Sequence, residues 1–164
     1  MPNYIGTIPN PDVRDYQRKR VYDAEELCSF WNTLQILPLK EVKELVNLIS
    51  AKFVIPIPNL ITEGHNLIPT AYATPTEIVL PFPICLSTPF ICHEMAHVVN
   101  YRLGPVDHHG PSFSSTYLRI VKNFMGKDSF IELRKAFDST KVRYDFDIEF
   151  VISKFSLLSI GICK

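Results

Sequence analysis

The stretch from Thr88 to Pro105 constrains the fold more than any other, because both of its ends are marked for a helix. Thr88 can cap the start, Pro89 suits the first helical position where its missing N–H is not needed, and Gly104-Pro105 closes the far end. Inside that helix stands His93-Glu94-Met95-Ala96-His97. Histidines four residues apart lie on one helical face about one turn from each other, so both imidazoles can converge on one tetrahedral ion. The glutamate between them projects beside the pair, where it can take a proton from a water whose pKa a zinc ion has lowered to roughly 7. The pattern therefore predicts Zn2+, one ion, as cofactor, with His93 and His97 as ligands and Glu94 as general base. A chance match of so short a motif is the alternative, and the bounded helix and a downstream histidine pair weigh against it.

A catalytic zinc site takes three protein ligands and keeps a fourth position open. Leu103 stands where the extended zincin pattern would place its third histidine, which leaves His108, His109, Asp107 and the more distant His65 as candidates. His109 is preferred because Gly110-Pro111-Ser112-Phe113 follows it, so the turn into the next helix and the packing of Phe113 would hold it rigidly. His108 reads as a loop histidine in solvent. Tyr101, one turn beyond His97 on the same face, reads equally as a transition-state donor and as core packing. Tyr117 and Cys92 read as core.

The remaining order follows from periodicity and from 13 prolines. Residues 1–11 read as an extended arm. Tyr16, Arg20, Ala24, Leu27, Cys28, Trp31 and Leu34 recur at helical spacing, so one helix is expected to continue to Pro38. A second is expected from Leu39 to Lys52. Three β-branched runs bounded by proline follow, at 53–57, 70–73 and 77–80, and read as edge strands or strand ends. After the histidine helix come one from Gly110-Pro111 to Gly126 and one opened by a Ser129/Glu132 capping box. The expected architecture is α+β: two N-terminal helices, a small mixed sheet, the zincin-type active-site helix and following helices, forming one domain over 12–140 with a tail at 141–164. An extended peptide is expected to align along Glu77, Ile78, Val79 and Leu80 by strand addition.

Composition narrows the function classes. Seventeen basic residues balance 17 acidic ones, so no net field draws the chain to nucleic acid, which is not an expected partner. Four dispersed cysteines offer neither a disulfide framework nor a second zinc site. No secretory signal is read at the N-terminus, and the apolar run 150–163 falls short of a membrane span, so a cytoplasmic setting and no membrane partner are expected.

His93-Glu-Met-Ala-His97 followed by His109-Gly110-Pro111-x-Phe113 resembles the SprT-like zincin arrangement. Arg14-Asp15-Tyr16-Gln17-Arg18-Lys19-Arg20-Val21-Tyr22-Asp23-Ala24-Glu25 resembles the opening R-D-x-Q-R-x-x-V-Y-x-A-E of a family of small metallohydrolases of bacteria and some of their phages. The resemblance covers about residues 12–140. It implies His109 as third ligand, hydrolysis of a peptide or protein substrate, and a bacterial or phage-infected host cell. It departs from the branch that acts on DNA-crosslinked proteins, because the four-cysteine ribbon is absent and the charge is balanced. A non-catalytic partner-binding role, such as a component of a phage particle docked through residues 1–11 and 141–164, is the alternative.

Overall fold

The computed structural model describes residues 15–62, 71–81 and 83–145. The arm, most of the tail and His65 lie outside the described residues. The fold is α+β, as expected: α1 (Arg18–Glu26), α2 (Ser29–Asn32), α3 (Leu39–Phe53), three short strands, then α4 (Thr88–Leu103), α5 (Pro111–Phe124) and α6 (Lys127–Thr140).

The long first helix is instead broken into α1 and α2. Leu27 and Cys28 close α1 with N–H bonds to Ala24 and Glu25, and Cys28 turns extended at ψ 131°. The Asn32 side chain then donates to the Glu26 and Cys28 carbonyls at 3.3 and 3.1 Å, satisfying acceptors at the break. Glu132 of α6 accepts from the Ser29 backbone and hydroxyl at 2.7 and 2.9 Å, capping α2 across the fold. The expected capping box is therefore corrected: Glu132 serves another helix, Ser129 donates to Met125, and α6 begins at Lys127 after Gly126, whose φ of 98° suits glycine.

Helix α3 buries Val42, Val46, Ile49 and Phe53 along one stripe. Each such side chain contributes about 1.5–3 kcal/mol when fully buried, well above the propensity differences between residues, so packing holds this helix. Val54 adopts a left-handed conformation and Ile55 donates back to Ser50, so the chain leaves the helix where a strand over 53–57 was expected.

The strands are β1 (Asn59–Ile61), β2 (Tyr72–Ala73) and β3 (Glu77–Val79), in the order β1-β3-β2. Strand β3 pairs in parallel with β1 and antiparallel with β2, with Ile78 opposite both Leu60 and Ala73. It is the central strand, and Leu80 donates to Ile61. The expected substrate edge at Glu77, Ile78, Val79 and Leu80 is thereby corrected, because partner strands occupy both sides of that ladder.

Helix α4 runs through the middle, packed on α3, α5 and the sheet, and every residue from Pro89 to Asn100 is buried. Such all-round burial belongs to a central helix rather than an amphipathic one. Phe113, Tyr117, Leu118, Ile120 and Val121 of α5 fill the core beside it, and Leu133 and Phe137 of α6 close the far side.

Candidate metal centre

Helical spacing sets His93 and His97 side by side, with ring centroids 5.0 Å apart. His109 arrives from the loop between α4 and α5, and that loop is tied down at several points. Asn100, near the end of α4, donates to the Pro105 carbonyl and to Asp107 at 3.1 and 2.9 Å. The Asp107 carboxylate in turn accepts from the first-turn N–H groups of Ser112 and Phe113 at 2.7 and 3.3 Å, acting as the cap of α5. A Cβ at Gly110 would overlap that carboxylate, which explains glycine there. Phe113 stacks on His97 with centroids 4.2 Å apart and meets His109 edge-on at 4.9 Å.

The result is one cluster in which His93, His97 and His109 each offer a nitrogen and all three lie within 4.8 Å of one another. Among the described residues no fourth histidine, cysteine or carboxylate belongs to it. His93 and His109 face each other through their Nε2 atoms at 3.3 Å. Their Nδ1 atoms are engaged elsewhere: His93 with Glu25 at 2.6 Å and His109 with Asp15 at 2.7 Å. An ionised carboxylate only accepts, so each Nδ1 donates to its carboxylate and each Nε2 is turned toward the other ring. Their 3.3 Å separation matches that of two nitrogens on a tetrahedral zinc at about 2.0–2.1 Å, which stand about 3.3 Å apart. The donor set fits a cation, and the three histidines can hold a metal ion.

Electrostatics follow from burial and these partners. Burial would lower His93, but the charge and hydrogen bond of Glu25 outweigh it and raise the pKa. Burial lowers His109 despite the Asp15 bond. His97 has neither ring nitrogen hydrogen-bonded, and burial with the neighbouring histidines drives its pKa well below the usual value, keeping it a neutral donor. Burial lifts Glu94 to about 7; His93 opposes that rise and Glu25 adds to it. Glu94 Oε2 is buried with no hydrogen-bond partner, and Glu94 lines a cleft with Tyr22, Glu25, Trp31, Ala71, Phe90 and His93.

Other expectations meet mixed outcomes. His108 is 2% exposed, not a solvated loop histidine, because a left-handed φ of 52° turns it inward, and it is not in the cluster. Tyr101 stacks on His97 at 6.0 Å and is not among the cleft residues, whereas Tyr22 is. Tyr117 and Cys92 are fully buried in the core. Sequence reasoning missed Asp15 and Glu25 as partners of the clustered histidines. The signal was present in the Arg14–Glu25 pattern: Asp15 and Glu25 bond to the ligands, Gln17 donates to the His109 carbonyl at 3.0 Å, and Tyr22 packs on His93 and His109 at 5.9 and 5.2 Å. Among the described residues no helix is long and apolar enough to cross a membrane. Comparison with protein families, with curated proteins and with solved structures returns no match for this chain.

Proposed function

We propose that the chain is a zinc-dependent hydrolase of the peptidase type. The observation that carries this reading is the pair of Nε2 atoms, of His93 and His109, 3.3 Å apart in a three-histidine cluster, with the buried Glu94 oxygen, which has no hydrogen-bond partner, on the same helix as His93 and His97. Three histidine donors with no fourth residue in the described cluster match the open-position pattern of catalytic rather than structural zinc. Zinc held there supplies Lewis acidity and a water acidified to a pKa of about 7.

The protein's own groups do the rest. Glu25 and Asp15 fix the tautomer and direction of His93 and His109. Glu94 takes the proton from water at its carboxylate and delivers it to the leaving amine, as its buried oxygen without a hydrogen-bond partner leaves it able to do. Strand β2 lies at the edge of the sheet, packs on α4 and follows Ala71 of the cleft, so we assign an extended substrate to β2. The resemblance of the His93–Phe113 motif and of the Arg14–Glu25 stretch to SprT-like zincins supports the same reading.

Proteolysis profiling against a peptide library tests it. Wild-type protein is expected to cleave peptides in a chelator-sensitive way, and Glu94→Gln is expected to keep the metal while losing about 10²–10⁴-fold in rate. Cleavage that survives both chelation and Glu94→Gln contradicts the proposal.

A further inference from the structure

His109 is held at both ends by the residues leading into α1. Asp15 accepts from its ring Nδ1 at 2.7 Å, and Gln17, two residues on, donates from Nε2 to its main-chain carbonyl at 3.0 Å. That carbonyl needs a donor from elsewhere in the fold. His109 is fully buried and stands one residue before the N-cap Gly110, where the first N–H groups of α5 turn to Asp107 and to the Gly110 carbonyl instead. The Ser114 hydroxyl adds a longer bond of 3.4 Å. His93 and His97 need no such brace, because their main chain lies inside α4.

Gln17 is itself fixed from a third direction. The Arg143 backbone N–H donates to Gln17 Oε1 at 2.6 Å, and the Arg143 carbonyl accepts from Nε2 at 3.1 Å. An amide oxygen only accepts, so the Arg143 N–H decides which end of the Gln17 amide is oxygen. Nε2 is left facing two carbonyls with one proton for each. Gln17 is 2% exposed, which keeps competing water from these bonds. The segment that carries Arg143 is anchored in turn: Val142 donates to the Phe137 carbonyl at 2.9 Å, and the Asp145 N–H to the Ser115 hydroxyl at 2.8 Å.

Resting on the zinc reading, we infer that Gln17 is a positioning residue for His109, acting through its carbonyl, with the Arg143 backbone as the outer anchor of that brace. The segment after α6 is thereby coupled to the metal. Moving Arg143 releases the Gln17 amide, and with it the main chain from which the third imidazole is presented. A role in stability alone has a different signature. It would act on zinc binding whether or not an imidazole stands at position 109, whereas a brace on His109 matters only while that imidazole is there.

The test is a double-mutant cycle on the full chain, with zinc affinity read by chelator competition. Gln17→Met keeps the length of the side chain and removes its donors and its acceptor. It is expected to lower zinc affinity about 5-fold when His109 is present, less than the roughly 10–100-fold of a partner that bonds an imidazole directly, and by under about 2-fold in a His109→Ala background. In nitrogen-15-labelled wild type, the Arg143 backbone amide resonance is expected to move in proportion to zinc occupancy. A wild type that binds no zinc removes the zinc reading and this inference together. A wild type that binds zinc while Gln17→Met stays within about 2-fold of it, or while Gln17→Met costs as much with His109→Ala as without, overturns the inference alone. Should Gln17→Met fail to fold, the wild-type resonance decides: movement with zinc supports the brace, and an unmoved resonance overturns it.

Discussion

His93 and His97 sit one turn apart on the same helix, yet the protein treats them in opposite ways. His93 is backed by Glu25 at 2.6 Å, and its pKa is raised. His97 has no carboxylate; it is stacked on Phe113 at 4.2 Å and its pKa is pushed well down. One imidazole is aimed by hydrogen bonding and the other by packing. Spacing within a helix sets which side chains can meet a metal, while orientation comes from whatever other elements bring to each ring.

That contrast can be broken from either side. The largest effect is expected from Phe113→Ala, which removes a fully buried ring under His97: about 3–5 kcal/mol of stability, read as a lowered urea midpoint in metal-free protein. An unchanged midpoint would show that packing does not hold His97. Glu25→Gln and Asp15→Asn come next, each expected to weaken zinc binding 10–100-fold in chelator competition. Equal affinity in both variants and wild type would remove hydrogen-bond aiming from the account. Asp107→Ala is expected to cost about 1–2 kcal/mol by uncapping α5, with a lesser loss of zinc affinity through His109; a thermal melt checks the first part.

A pH series on metal-free protein separates the two histidines with smaller effects. The folded state holds His97 below its unfolded value of about 6.5, so the unfolded chain binds the extra proton and the stability from this residue is lost as pH falls below about 6.5. His93 has the opposite sign: its raised value gives stability that is full below about 6.5 and is lost as pH rises through the folded value. His97→Phe is therefore expected to lose less stability between pH 7.5 and 5.5 than wild type, and Glu25→Gln to lose more. Parallel pH profiles for all three proteins would contradict the assignment.

The same contrast explains what could be read before the structure. The span of helix α4 and the preference for His109 follow from local signals: Pro89, Gly104-Pro105, a four-residue spacing and a rigid turn before Phe113. The expected cap at Thr88 is corrected, because Ser87 stands at the N-cap without a side-chain cap hydrogen bond and Thr88 is the first helical residue. Asp15 and Glu25 could not be assigned that way, because they lie 94 and 68 residues from the imidazoles they contact. The break between α1 and α2 is similarly remote in cause, since Glu132 of α6 caps α2. Periodicity identified a strand near Glu77–Val79 but carries no information on strand order, so the central position of β3 emerged only with its partners. His108 was misread because solvent exposure was inferred from loop position, without the left-handed turn that buries it.

The most direct test of the metal centre is zinc stoichiometry and affinity in wild type, His109→Ala and His108→Ala. One zinc per chain in wild type, a loss of roughly 100-fold or more in His109→Ala and near-wild-type affinity in His108→Ala is the expected result, since only His109 belongs to the cluster. No bound zinc in wild type, or a loss confined to His108→Ala, would contradict it.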